Sequence, residues 1–172
     1  MHPIIAIVAP SGAGKTTLID RAIARLPDKI GRIISFTTRP QRTEADTLWY
    51  EFVSREEVEK RKTAGLVVQL IEFNGHIYGT DRPHIKQVLE HKIGILAVVE
   101  HGIQTYIDAG IPLIVIKLEP KGFTQPASRI AADELRARIP IHIDKTIKND
   151  FALGGLEKAT EELVSYIESL SS

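Results

Sequence analysis

Ala9-Pro10-Ser11-Gly12-Ala13-Gly14-Lys15-Thr16 decides how the rest of this 172-residue chain is read. A short apolar run rich in β-branched residues, 4–9, leads into it, and residues 16–26 beyond it carry a helical pattern. A strand, a glycine-rich loop and a helix form the context in which Gly-x-x-x-x-Gly-Lys-Ser/Thr cradles phosphate, here with Ala9 at the first glycine position. Gly12 and Gly14 let the backbone curl until successive N–H groups point at one anion. The helix that follows turns its positive end to the same anion. The pattern places Ser11, Gly12, Ala13, Gly14, Lys15, Thr16 and Thr17 around the phosphates of ATP. Lys15 is the expected catalytic cation at the β- and γ-phosphates, and Thr16 the expected hydroxyl ligand of Mg²⁺.

Strand-like and helix-like segments alternate on either side of the loop. Apolar runs recur at 30–36, 93–99 and 112–118. Residues 103–109 read as helix and stop at Gly110, a usual residue just past a helix C-terminus. Leu156, Ala159, Leu163, Ile167 and Leu170 are spaced by three and four, the stripe of an amphipathic helix. This alternation predicts an α/β protein with a parallel sheet covered by helices on both faces. With the phosphate loop it gives the P-loop nucleoside-triphosphate-hydrolase fold.

The rhythm breaks between residues 37 and 80. A polar stretch gives way to a short strand at 48–53. Ser54-Arg55-Glu56-Glu57 has the spacing of a capping box that opens a helix. A strand at 66–73 enters a tight turn at Asn74-Gly75. The expected organisation is one domain, with a subdomain of residues 37–80 inserted into a core of 1–36 and 81–172.

Lys and Arg number 22 and Asp and Glu 22, so the formal net charge is +0 and no overall field draws the chain to a nucleic acid polymer or an anionic membrane. Cysteine is absent, which excludes disulfides and thiolate metal sites. The first apolar run is too short to span a membrane. A cytoplasmic location is the expectation, without membrane or nucleic acid partners.

Ser35-Phe36-Thr37-Thr38-Arg39-Pro40-Gln41-Arg42, then Glu44, Tyr50 and Phe52, resembles the monophosphate-binding segment of guanylate kinases. Tyr78-Gly79-Thr80 is similar to that family's Tyr-Gly-Ser/Thr motif, and residues 144–150 to its strand ending in Asn-Asp. The resemblance implies an ATP-dependent nucleoside monophosphate kinase acting on GMP, dGMP or a related (deoxy)nucleoside monophosphate. It assigns the acceptor to Ser35, Arg39, Arg42, Glu44, Tyr50, Gln69, Tyr78 and Thr80, and adds Arg39 and Arg129 to the catalytic cations. The side-chain chemistry agrees. Two arginines three apart can fork onto a phosphate, and two tyrosines add neutral donors.

Three departures from the family's pattern carry information. Gln69 stands where the family reads guanine with a carboxylate. Its amide pairs with N1–H and O6 of guanine, or equally with N3–H and O4 of uracil or thymine. The strand end that carries two aspartates in the family reads Ala97-Val98-Val99, followed by Glu100-His101-Gly102. The arginine-bearing lid shrinks to about residues 119–128, with Lys121 as the nearest replacement cation. These departures keep two other readings open. One is a kinase for another phosphorylated small molecule, such as a pyrimidine deoxynucleotide or a sugar phosphate. The other is a catalytically weak binding module.

Overall fold

Ile4–Val8 forms β1, and none of its five residues is more than 1% exposed. A strand buried on both faces needs partners on both edges and a layer above and below. β1 has them. It pairs in parallel with β7 (Ile93–Ala97) on one edge and with β8 (Leu113–Lys121) on the other. β2 (Ile30–Arg32) extends the sheet beyond β7, and β9 (Lys145–Asp150) extends it beyond β8, both in parallel. The computed structural model describes residues 1–124, 129–130, 134–135, 138–152 and 154–170. Among these, the central sheet has the order β2-β7-β1-β8-β9.

The alternation of side chains along β1 sorts the core into two layers. Ile5 and Ile7 pack with residues of α1 (Lys15–Arg25) and α5 (Gly155–Ser169), including Leu18, Ile19, Leu163 and Ile167. Ile4, Ala6 and Val8 pack on the other face with Ile85 and Leu89 of α3 (Arg82–Leu89) and with Ile103 and Tyr106 of α4 (Glu100–Asp108). The protein is thus α/β, a parallel sheet flanked by helices on both faces.

A second sheet has the order β4-β3-β6-β5. It comprises β3 (Ser35–Thr37), β4 (Tyr50–Phe52), β5 (Val67–Phe73) and β6 (His76–Asp81). Asn74 and Gly75, with φ of 51° and 74°, supply the left-handed pair that a two-residue hairpin turn requires between β5 and β6. Ser54 caps α2 (Arg55–Thr63) by accepting from the Glu57 N–H at 3.1 Å. Three expectations change. The apolar run at 30–36 is two strands in two sheets, broken at Ile33 and Ile34. The strand expected from residue 48 begins at Tyr50, because Glu44–Leu48 forms a 3₁₀ helix. The expected lid at 119–128 begins as strand, since Glu119, Pro120 and Lys121 pair with Lys148, Asn149 and Asp150; residues 125–128 lie outside the described ones.

The chain passes between the sheets at Ile33–Ile34 and again at Asp81–Arg82, and one residue ties the two crossings together, through its ring on one side and its backbone on the other. The His84 imidazole accepts from the Ile34 N–H at 3.2 Å, while the His84 N–H donates to the Asp81 carboxylate at 3.0 Å.

Candidate active site

The phosphate loop lies at the carboxyl end of β1, in the middle of the sheet, where open parallel sheets bind ligands. Gly12 and Gly14 adopt φ of 83° and 94°, and Gly14 is the residue from which α1 starts. The first turn of α1 carries no acidic residue, so nothing offsets its positive end. Lys15 lies back along the loop, donating to the Ala9 carbonyl at 2.6 Å and the Pro10 carbonyl at 3.1 Å. Thr16 and Thr17 are exposed at the mouth, Ser11 is half-buried, and Ala13 is fully buried. The loop is pinned from below. Asn149, 2% exposed at the end of β9, donates from its amide to the Ala13 carbonyl at 3.0 Å. The sequence offered Asn149 only as part of a motif, with no role.

The donor set fits a metal ion that arrives with its nucleotide. Mg²⁺ keeps several waters and takes one or two protein ligands beside phosphate oxygens, so a single hydroxyl at Thr16 suits it. Among the described residues, no group of three His, Cys, Asp or Glu side chains is placed to hold a metal without that help.

On the second sheet, Arg39 is the centre. It is 8% exposed, with its guanidinium 5.2 Å from the Tyr50 ring centre and 5.9 Å from that of Phe52. Tyr50 and Tyr78 meet edge to face at 5.9 Å, so Arg39 and both tyrosines form one cluster. Burial raises the Tyr50 hydroxyl's pKa, which keeps it a neutral donor. The sequence reading missed Asp46, which braces the cluster. Its carboxylate accepts from Arg39 Nη2 at 3.1 Å and from the Arg42 N–H at 2.9 Å. The Arg42 backbone bond, then Arg39, holds the Asp46 carboxyl below its usual range. Asp46 also completes a capping box with Thr43. That Thr-x-x-Asp spacing was visible in the sequence. Ser35 opens β3, and its N–H donates to the Trp49 carbonyl at 3.0 Å. Arg42 and Glu44 are exposed, and Glu44 starts the 3₁₀ helix outside the Arg39 cluster.

Gln69 and Thr80 are cross-strand partners, both buried. Tyr106 of α4 links them. Its hydroxyl lies 2.9 Å from Thr80 Oγ1 and donates to Gln69 Oε1 at 3.3 Å. Burial pushes the Tyr106 hydroxyl up to about 12, so it remains protonated. Gln69 Nε2 is buried without a hydrogen-bond partner and sits where a Gly102 side chain would start, since a Cβ there would lie 2.0 Å from it. The sequence gave no sign of Tyr106, which read simply as a helix residue.

Glu100, the first residue of α4, faces a cavity of about 510 Å³ that also touches Ala9, Pro10, Lys117, Glu119 and Arg138. Lys121 pairs with Asp150 at 3.3 Å. Arg129 is exposed.

A family model described as guanylate kinase matches residues 1–116, well over half of the chain. The chain belongs to the guanylate kinase family. The matched stretch holds both the phosphate loop and the Arg39 cluster, and ends within β8. The guanylate kinase of Schizosaccharomyces pombe is 31% identical over 180 residues, covering 95% of this chain and 88% of that protein. Guanylate kinase 1 of Oryza sativa is 32% identical over 130 residues, 74% of this chain but 34% of the relative. The chain spans about half the length of several other guanylate kinases it matches. The crystal structure of guanylate kinase from Anaplasma phagocytophilum superposes with a TM-score of 0.69 at 19% identity, covering 98% of this chain and 85% of that one. That likeness is one of fold, the P-loop fold of the family.

Proposed function

We propose that this guanylate kinase family member is an ATP-dependent nucleoside monophosphate kinase, with GMP, dGMP or a related (deoxy)nucleoside monophosphate as acceptor. The observation that carries the reading is the pairing of an intact Gly14-Lys15-Thr16 loop with a buried Arg39 set against the Tyr50 and Phe52 rings, with Tyr78 edge-on to Tyr50. One half suits a triphosphate and the other a monophosphate.

In this reading an oxygen of the acceptor phosphate attacks the γ-phosphorus in line, and the bond from that phosphorus to the β,γ-bridging oxygen breaks. ADP and a nucleoside diphosphate result. The acceptor oxygen is already anionic, so no general base is needed, and catalysis rests on positioning and charge neutralisation. Mg²⁺ bound with ATP would supply Lewis-acid stabilisation of the phosphate oxygens, with Thr16 as its protein ligand. Lys15 would leave the Ala9 and Pro10 carbonyls for the phosphates. Arg39 and Arg42 would hold the acceptor phosphate beside Ser35, Tyr50 and Tyr78, with Arg129 approaching from outside. We assign the acceptor-side motion to a subdomain of residues 37–80 that closes on the core and excludes water. We place the protein in the cytoplasm; among the described residues, no helix is long and apolar enough to cross a membrane.

Base choice falls to Gln69. In this reading Gln69 would turn its amide away from Tyr106 and Gly102 to pair with N1–H and O6 of guanine, or with N3–H and O4 of a pyrimidine. A ³¹P NMR time course with MgATP and each of GMP, dGMP, UMP and dTMP tests the proposal. The expected result is acceptor-dependent growth of ADP and a nucleoside diphosphate together. Unchanged ATP with all four would reject it.

A further inference from the structure

Phosphoryl transfer as described above makes no use of Tyr106, a buried phenol on α4 that meets two residues of the second sheet. In that sheet Gln69 pairs with Thr80, and Ile71 with Tyr78. Residues two apart along a strand point the same way, so Gln69 and Thr80 share a face with Tyr78. Tyr78 belongs to the Arg39 cluster through its edge contact with Tyr50. An acceptor held by its phosphate at Arg39, and extended toward the core along this face, would bring its base to Gln69 and Thr80.

Both are already engaged. The Tyr106 hydroxyl has one hydrogen and gives it to Gln69 Oε1 at 3.3 Å, so the Thr80 hydroxyl, 2.9 Å away, donates to Tyr106 in turn. The tip of Gln69 fills the notch left by Gly102, where a Cβ would fall 2.0 Å from Nε2 and 2.9 Å from Val98 Cγ2. Nε2 has no hydrogen-bond partner in that notch. Among the described residues, the bond from Tyr106 is thus the one hydrogen bond of the Gln69 side chain. We infer that Tyr106 latches Gln69 in a stowed position, from which an acceptor base must draw the amide before it is read. Tyr106 is then a positioning residue that sets how much affinity a base adds. This rests on the base-reading role proposed for Gln69 above and adds what restrains it.

A ligand's apparent affinity is its intrinsic affinity scaled by the fraction of molecules already competent to bind it. Tyr106→Phe removes the hydrogen bond of the stowed amide and leaves the base-facing position as it was. The competent fraction rises, and a nucleotide acceptor binds more tightly. Gly102→Ala reaches the same end by crowding, because its methyl group takes the place of Nε2. An acceptor without a base never calls on Gln69 and gains nothing from either change.

Calorimetry with GMP, UMP and ribose 5-phosphate, which carries phosphate and sugar without a base, tests the latch. The proteins are wild type, Gln69→Ala, and each of Tyr106→Phe and Gly102→Ala, alone and combined with Gln69→Ala. Whichever nucleotide the wild type binds more tightly should gain about three- to tenfold in Tyr106→Phe. Ribose 5-phosphate affinity should stay the same, and the gain should vanish once Gln69 is alanine. Should Tyr106→Phe not fold, Gly102→Ala decides by the same comparison. Weaker binding of all three acceptors alike would mean that Tyr106 merely supports the second sheet, and would overturn the inference. So would unaltered nucleotide affinity, a gain that ribose 5-phosphate shares, or a gain that persists without Gln69. Wild type binding neither nucleotide more tightly than ribose 5-phosphate would bring down the base-reading role of Gln69 and the latch with it. Binding of none of the three would reject the acceptor site itself.

Discussion

Lys15 and Arg39 are both held ready by groups that a substrate would replace or share. Lys15 donates to two loop carbonyls, so its ammonium is already stationed in the loop. Lys15→Ala should lower turnover by at least about a hundredfold; steady-state kinetics with wild-type rates in the variant would remove the lysine from the mechanism. Arg39 donates from Nη2 to Asp46 and from Nη1 to the Pro40 carbonyl, a geometry set by the planar fork. Arg39→Lys keeps the charge and loses the fork, so acceptor affinity should drop about tenfold or more while ATP affinity holds, as read by calorimetry. Both residues were legible in the sequence because short local motifs specify them. Asp46 was half legible, through its spacing from Thr43. Tyr106 was not, because its partners Thr80 and Gln69 are 26 and 37 residues away and only tertiary packing joins them. Tyr106→Phe leaves Gln69 Oε1 and the Thr80 hydroxyl short of a partner in a buried site, at a cost of about 1–3 kcal/mol in urea unfolding. An unshifted midpoint would deny that network its structural weight.

At the scale of elements, periodicity carried most of the fold. β1, β7 and α5 are buried in the pattern their apolar residues announce, except that Leu170, at the end of the expected stripe, is exposed just past α5. It failed where one apolar run serves two sheets. Residues 30–36 look continuous, yet Ile33 packs in the core while Phe36 packs with Val58 and Ile77 under the second sheet. Hydrophobicity reports burial and not which layer does the burying. Gly79 shows the converse, a motif residue whose reason is steric. A Cβ there would come 2.3 Å from the Phe36 ring and 2.6 Å from the Gln69 carbonyl oxygen. The glycine therefore lets β6 lie against both β5 and the Phe36 ring. Gly79→Ala should destabilise the protein by about 1–3 kcal/mol through overpacking and weaken acceptor binding, because Tyr78 and Thr80 flank it. Thermal melts and acceptor titration check both; a variant as stable as wild type with full acceptor affinity would show that the sheet absorbs a methyl group there.

For the whole molecule, charge ties the second sheet to its helices and predicts an acid limit. Arg61 binds Glu51 and Asp81 at 2.7 Å each and Glu57 at 3.1 Å, joining β4, α2 and the start of α3. Three carboxyls are held below their ordinary values: Glu51 by Arg61, Asp46 chiefly by the Arg42 N–H, and Asp150 chiefly by the Ala152 N–H. A depressed folded pKa contributes stability that is complete above the unfolded value and lost as pH falls through the folded one. The melting temperature should hold from neutrality to about pH 5 and decline below about pH 4. Glu51→Gln should lower it at neutrality and flatten that decline, and parallel declines in both proteins would contradict the linkage. Transfer between two nucleotides would rest on the joining of two sheets, one with the phosphate loop and one with the Arg39 cluster. Acceptor-stimulated ADP release, measured on wild type, Lys15→Ala and Arg39→Lys under the same conditions, tests it most directly. MgATP should yield ADP rapidly only when a nucleoside monophosphate is present; Lys15→Ala should remove most of that stimulation at any acceptor concentration, and Arg39→Lys should shift it to at least about tenfold higher acceptor concentration. ADP release indifferent to every monophosphate in the wild-type protein would contradict it and leave a nucleotide-binding module in its place.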